Sequence, residues 1–352
     1  MELSRVDRRK NRKKRKRIIR ITLMVSCLII GLVGFTATYE FRLWLAGSLL
    51  VTQHHHWAKY TLVGEKKLNE LRKELATPEI VNSGLLTISD RVVEASEKKE
   101  ETEKKELLQV IPIEKKMSNY HYFKGYLLKV SDPNRIHLVE TSGERRSGKG
   151  LPRGEFISEF VERKQALAGV NASGFYDPNW MGYGEKPSGL VISDGKIIQS
   201  NLGGGESAVA LTYDGKLITG NYTAKQLVSE MNVRDAVSFK PQLIVNGKNL
   251  FTGKEATSWG IAPRTAMGQT ADGTILFVVI DGRRPTHSLG ASMTDMAMLM
   301  EEYGAINAMA LDGGTSSMLV TRDPDTTELK ILTTAPNDDE RGRWLPNAWL
   351  IY

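Results

Sequence analysis

Cysteine is almost missing from this chain: among 352 residues the only thiol is Cys27, and it sits inside an apolar run. Whatever follows that run has no disulfide framework, no cysteine-based metal site and no thiol nucleophile, so its stability has to come from burial. Histidine is scarce as well. Three of the six are adjacent at His54, His55 and His56, and neighbours in sequence cannot all converge on one metal from a regular element; His121, His137 and His287 are isolated. There is no G-x-S-x-G, no His-x-x-x-His and no evident Ser-His-Asp triad, which leaves out the nucleophile elbow and the helical zinc pair. "GERRSGKG" from Gly143 has the spacing G-x-x-x-x-G-K, but it continues with Gly150 in place of Ser or Thr and follows no convincing strand, so a phosphate-binding P-loop is rejected.

Acidic residues are also few at one end. Residues 1–20 hold 11 Lys and Arg against only Glu2 and Asp7; removing them from the totals of 48 basic and 41 acidic leaves 37 against 39, net −2. The net charge of +7 therefore belongs to the tail. The remainder is not a phosphate-tracking nucleic-acid surface. With 41% hydrophobic residues the chain can fill one large core or two modest ones.

After the tail, Ile21–Tyr39 runs for nineteen residues without a charge. At ~1.5 Å per residue it reaches ~28 Å, enough to cross a hydrocarbon core of ~30 Å. The preceding basic cluster stays in the cytoplasm and puts everything after Glu40 outside. A cleaved signal peptide is the rival reading, but its apolar region is usually ~7–15 residues with an A-x-A-like site, and the best candidate here is Thr36–Thr38. The sequence thus predicts a cytoplasmic tail at 1–20, one uncleaved transmembrane helix at 21–39, a juxtamembrane segment and charged stalk at 40–117, and a domain at 118–352. Residues 41–64 are mildly hydrophobic and are expected along the membrane surface; the stalk is expected from the charge of 65–116, with "EASEKKEETEKKE" at its extreme.

From Ser118 the texture changes to short apolar runs punctuated by Asp-Gly and Asn-Gly, at "SDGK", "YDGK", "VNGK" and "ADGT", which are hairpin signals. Helical patterning is limited. Its clearest case is "SMTDMAMLMEEYG", where Ser292 and Asp295 form a capping box, Met296, Leu299 and Tyr303 share a face, and Gly304 stops the helix. The fold class read from this is α+β, a strand-dominated mixed-sheet domain with few helices.

The polar residues gather at strand ends. The tight turn "ADG" pairs the strand starting at Arg264 with the apolar run at 275–280, placing Arg264 opposite Ile280 and beside Asp281. A second apolar run, "AINAMA", ends near Asp312. If the two runs are neighbouring parallel strands joined by the capped helix, both aspartates share one rim of the sheet. Arg283 joins them, Gly313 and Gly314 let a ligand approach the backbone, and Thr315, Ser316 and Ser317 supply hydroxyls. A further strand ends at Asn171 and Ser173 ahead of Gly174. An Asp-Gly pair is also an ordinary turn, and Arg264 with Asp281 is also a plausible buried ion pair; two rims and a hydroxyl run together favour a site.

The motifs "GVNASGFYD", "PSGLVISDGK", "FKPQLIVNGK", "APRTAMGQTADG", "VVIDGRR", "EYGAINAMALDGGTSSML" and "ERGRWLPNAWLI", in order over about 120–352, resemble the phosphodiester glycosidase family. That resemblance implies a hydrolase that cleaves a sugar from a phosphodiester at its anomeric carbon; anchored with its domain outside, such an enzyme would meet wall or capsular glycans. Arg264 and Arg283 would stabilise the departing phosphate, and Asp281 or Asp312, left unranked, would attack the anomeric carbon or activate water. Asn171 and the 315–317 hydroxyls would hold substrate oxygens, with Ser173 and Gly174 beside them, and Glu340 and Arg341, which match the family's terminal "ER", would close the site. No cofactor is implied. A glycan-binding or polymer-assembly protein, and a phosphodiesterase using the aspartates as Ca²⁺ or Mg²⁺ ligands, are the alternatives.

Overall fold

A computed structural model of the chain describes residues 21–22, 24–26, 38–52, 54–76, 78, 80–84, 106–118, 121–144, 153–177, 182–201, 204–252, 259–337 and 339–352. The basic tail, Cys27 with most of the predicted span, and the charged run at 85–105 lie outside them. Among the described residues no helix is long and apolar enough to cross a membrane.

The described strands are β1 (Leu108–Ser118), β2 (His121–Val130), β3 (Ile136–Glu140), β4 (Ala168–Asn171), β5 (Val191–Ser193), β6 (Lys196–Gln199), β7 (Glu206–Thr212), β8 (Leu217–Tyr222), β9 (Val233–Ser238), β10 (Gln242–Val245), β11 (Lys248–Asn249), β12 (Arg264–Thr270), β13 (Ile275–Ile280), β14 (Ala305–Ala310), β15 (Leu319–Arg322), β16 (Leu329–Ile331) and β17 (Asn347–Ile351). The helices are α1 (Glu65–Ala76), α2 (Ile157–Lys164), α3 (Ala224–Ser229) and α4 (Met293–Glu302), besides helical residues at 38–50. Strands dominate and helices are few, as the sequence predicts. Each of the four Asp-Gly or Asn-Gly signals closes a hairpin: β5–β6, β7–β8, β10–β11 and β12–β13.

The strands form three sheets, ordered β1-β2-β13-β12-β14-β10-β11, β16-β15-β4-β17-β3 and β6-β5-β9-β7-β8. β13 shows why the first holds together. Its run of six apolar residues has both faces buried, with Ile275, Phe277 and Val279 entering a core shared with the other two sheets. Leu276, Val278 and Ile280 enter a second core against Met293, Met296, Leu299 and Met300 of α4. A strand covered on both sides needs no polar alternation, and trimming Phe277 to alanine would cost ~3–5 kcal/mol.

The predicted neighbourhood of the two Asp-ending strands needs one correction. β12 lies between β13 and β14 and pairs antiparallel with both, Arg264 opposite Ile280 on one side and Ala266 opposite Ala310 on the other. The strands before Asp281 and Asp312 therefore run parallel to each other but flank β12. The shared rim survives, and the start of β12, with Arg264, falls between its two carboxylates.

The boundary at 118 is also displaced. β1 begins at Leu108 and pairs along its length with β2, because Ile113 is buried and Leu107 and Leu108 pack on the shared core. Upstream, the described residues of 41–64, expected along the membrane surface, and helix α1, at the start of the expected stalk, pack on one another. Leu43, Ala46, Ala58, Val63, Leu68 and Leu71 make a small core there. Ser83 is fully buried, its N–H donating to Thr219 O at 2.8 Å and its Oγ accepting from Thr219 N–H at 2.8 Å.

Candidate active site

The rim at the end of β13, the start of β12 and the end of β14 gathers most of the predicted groups. Arg264 is buried and makes no ion pair among the described residues. Its Nε donates to Ala291 O at 3.1 Å, and its Nη2 to Gly260 O at 3.0 Å and to Trp259 O. Burial, then the like charge of Arg283, lowers its pKa to about 9, with Asp295 pulling the other way. A guanidinium held by carbonyls, beside a second guanidinium, is a site short of negative charge.

Arg283 stands with a left-handed backbone, φ +59°, a conformation uncommon outside glycine and often associated with functional positions. Although the residue is exposed overall, burial around the guanidinium lowers its pKa. The adjoining backbone is Gly314, at φ +63°, where a Cβ would come 3.4 Å from Arg283 Nη1. Gly313 is similarly tight, since a Cβ there would lie 3.0 Å from Pro263 O.

The two aspartates differ. Asp312 is only partly exposed, and burial pushes its carboxyl up to about 6 against the pull of the Ser316 hydroxyl, Arg343 and the Gly313 N–H, which donates to Oδ1 at 3.0 Å. Asp281 is 3% exposed and both its oxygens are taken: Oδ2 by His287 Nε2 at 2.7 Å and Oδ1 by the Thr334 N–H at 2.8 Å. Burial raises its pKa, with His287 and Thr334 opposing. The predicted alternative of an Arg264–Asp281 ion pair is not what forms; the imidazole takes that place.

Several expectations shift. Asn171 is fully buried and both ends of its amide are engaged inside the protein: Nδ2 donates to Asp312 O at 2.6 Å, while Oδ1 accepts from Thr265 Oγ1 at 2.8 Å and Met318 N–H at 3.1 Å. It ties the Asp312 loop to β4 and β12, the arrangement of a positioning residue. Ser173 is turned away too, donating from N–H and Oγ to Asn347 Oδ1 at 3.0 and 2.9 Å; Gly174 lies beside it, buried against Ser188 and Phe239. Of the three hydroxyls, Thr315 is partly exposed, Ser316 bonds Asp312, and Ser317 Oγ is buried without a partner. An unpartnered buried hydroxyl costs ~1–3 kcal/mol.

Glu340 and Arg341 lie at the surface in this structure. Both are exposed, and Arg341 pairs with Asp339 at 2.9 Å and lies over the Phe156 ring. From the same segment the charge of Arg343 pulls the Asp312 pKa down, while its guanidinium pairs with Asp177 at 2.9 Å and lies 4.4 Å from the centre of the Phe175 ring. Neither Arg343 nor His287 is picked out by sequence reasoning. Arg343 lies inside the motif "ERGRWLPNAWLI", two residues past Arg341, and the tight turn that folds His287 back on Asp281, through His287 N–H to Arg284 O at 2.9 Å, carries no signal beyond Pro285.

A strand-dominated α+β domain with arginines and a partly desolvated carboxyl at one sheet rim has the charge pattern of an anion-handling site. Residues 164–352 match the phosphodiester glycosidase family, and the chain belongs to it. It is 32% identical over 178 residues to the SPbeta prophage-derived uncharacterized protein YomE of Bacillus subtilis, covering 48% of this chain and 26% of that protein. It is 25% identical over 211 residues to mouse N-acetylglucosamine-1-phosphodiester alpha-N-acetylglucosaminidase, covering 56% of this chain and 39% of that one. The chain thus spans less than half the length of these relatives. Its fold is shared with the zebrafish N-acetylglucosamine-1-phosphodiester alpha-N-acetylglucosaminidase catalytic domain auto-inhibited by its pro-peptide, at TM-score 0.57 and 19% identity over 71% of this chain and 85% of that one.

Proposed function

We propose that this protein is a membrane-anchored hydrolase, facing outward, that cleaves a sugar-1-phosphodiester in a cell-envelope or exopolysaccharide glycan. The observation that carries the chemistry is Arg264, buried, held by backbone carbonyls and in no ion pair among the described residues, beside Arg283 and next to the Asp312 loop. The phosphodiester occupies the guanidiniums, and charge-assisted hydrogen bonds strengthen as the C1–O bond breaks and negative charge gathers on the phosphate oxygens. Such a leaving group needs no proton at departure, so the carboxyl works ionised. Asp312 serves at the anomeric carbon, either attacking C1 directly or taking a proton from the water that does. Asp281, with both oxygens engaged, supports the rim. Membership of the family and the names of the mammalian relatives support the substrate class; the uncharged run Ile21–Tyr39 behind a basic tail supports the anchor.

Incubation of the protein with N-acetylglucosamine-1-phosphomethyl diester in H₂¹⁸O is the test. Free sugar carrying the label, with methyl phosphate, is expected; sugar 1-phosphate and methanol, with label on phosphorus, would show P–O cleavage and sink the reading. Activity that disappears with chelator would favour the metal-dependent alternative.

A further inference from the structure

The folded residues upstream of β1 are docked on the candidate site. The Ile261 N–H donates to Ser48 Oγ at 3.3 Å, and a Cβ on Gly260 would meet Ser48 Cα at 2.4 Å, so the helical segment 38–50 rests directly on that loop. The carbonyls of Trp259 and Gly260 in this loop are the ones that hold Arg264. Two further ties fix the segment: Lys240 Nζ donates to Ala76 O at 3.1 Å, and Gln242 Nε2 donates to Val81 O at 2.8 Å.

The same element turns large apolar and aromatic groups outward. Phe41, Trp57, Tyr60 and Leu62 are 59%, 53%, 69% and 75% exposed. Cations lie among them, Arg42 over the Tyr39 ring and Lys59 over the Tyr60 ring. Soluble surfaces seldom concentrate such groups, whereas aromatic rings mixed with basic residues are what the membrane–water interface favours. Chain length points the same way. Ser48 is nine residues beyond Tyr39, the end of the uncharged run. In helical geometry that is ~14 Å, and even full extension allows only ~30 Å.

We propose that residues 38–62 seat the Arg264 rim on the outer surface of the bilayer, and that its substrate is a sugar phosphodiester borne on a membrane lipid, not a glycan strand far from the membrane. This rests on the hydrolase and anchor readings above. A site tethered this closely meets headgroups by lateral diffusion, and confinement to one surface raises the effective concentration of a lipid-borne substrate.

The full chain in phosphatidylcholine–phosphatidylglycerol vesicles carrying an acyl-chain nitroxide gives the first measurement. Tryptophan emission is quenched, and Trp57→Phe removes part of the quenchable signal. A Trp57 component untouched by the nitroxide overturns the seating whatever the activity. On the same vesicles, the hexadecyl diester of N-acetylglucosamine 1-phosphate exceeds the methyl diester in kcat/KM by at least ~10-fold. A variant combining Phe41→Ser, Trp57→Ser, Tyr60→Ser and Leu62→Ser brings that ratio towards one. Equal rates on the two esters, or a preference that survives in this variant, overturns the lipid-borne substrate. Hydrolysis of neither ester sinks the hydrolase reading instead, and quenching then decides the seating alone.

Discussion

Asp281 and Asp312 end two parallel strands on either side of β12, each followed by glycine, yet the protein treats them oppositely. Asp281 is sealed in, its two oxygens spent on His287 and the Thr334 N–H. Asp312 keeps partial contact with solvent and is braced by local hydrogen bonds from the Gly313 N–H and the Ser316 hydroxyl, while burial holds its pKa near 6. The two share no hydrogen-bond partner among those shown. The same Asp-Gly pair at a strand end thus yields one carboxylate with both oxygens engaged and one held in a costly state, the usual mark of a working group.

The largest test of that contrast is Asp312→Asn. It should lower kcat by ~10³-fold or more while leaving the fold intact, because removing an attacking or proton-accepting carboxylate removes the step itself. The stability effect should have the other sign. With its folded pKa above the unfolded value, Asp312 binds its proton more tightly in the native protein, so its ionisation destabilises progressively as pH rises from about 4 through about 6. The asparagine variant escapes this and should melt higher at pH 7, by ~3 kcal/mol at most since the carboxyl is partly open to water. Arg264→Ala comes next. Kinetics should show a loss of ~10²–10³ in kcat/KM, the scale of removing one transition-state donor; a loss under twofold would remove Arg264 from the phosphate's environment.

Asp281→Ala should reverse the balance. The Thr334 N–H and His287 lose their partner, so thermal unfolding should register ~1–3 kcal/mol of destabilisation, while kcat falls only ~10-fold through a loosened rim. If Asp281→Ala costs more activity than Asp312→Asn, the ranking of the two carboxylates is wrong.

How far this was legible in the sequence depends on which link is asked about. The β12–β13 hairpin, the Ser292–Asp295 capping box and the common rim of Asp281 and Asp312 follow from turn chemistry, capping and crossover geometry, all of which are local or topological. Strand order within the sheet is not local, and β12 slipping between β13 and β14 was missed for that reason. Side-chain direction is further still from the sequence. Asn171 looks like a ligand-holding amide until its bonds to Asp312, Thr265 and Met318 are seen. The charge of Arg343 rather than Arg341 bears on Asp312, and Gly342, at φ +87°, turns the chain between them. Charge density misled at the N-terminal side, where a few well-spaced residues such as Leu68 and Leu71 suffice to fold a segment that reads as a stalk.

The smallest effect decides the most delicate point. An ionised Asp312 as the working group predicts that kcat rises with pH through about 6 and then levels. His287 Nε2 lies 2.7 Å from Asp281 Oδ2 and is another group at this rim able to exchange a proton, so the limb has to be assigned between it and Asp312. His287→Gln separates them. Glutamine can still donate to Asp281 Oδ2 but cannot exchange a proton, so if the imidazole only orients Asp281, kcat should drop by no more than ~2–5-fold and the limb should stay where it is. A limb that vanishes with His287 would move the proton chemistry to the Asp281 side and leave Asp312 as the structural partner, inverting the comparison between the two strand ends.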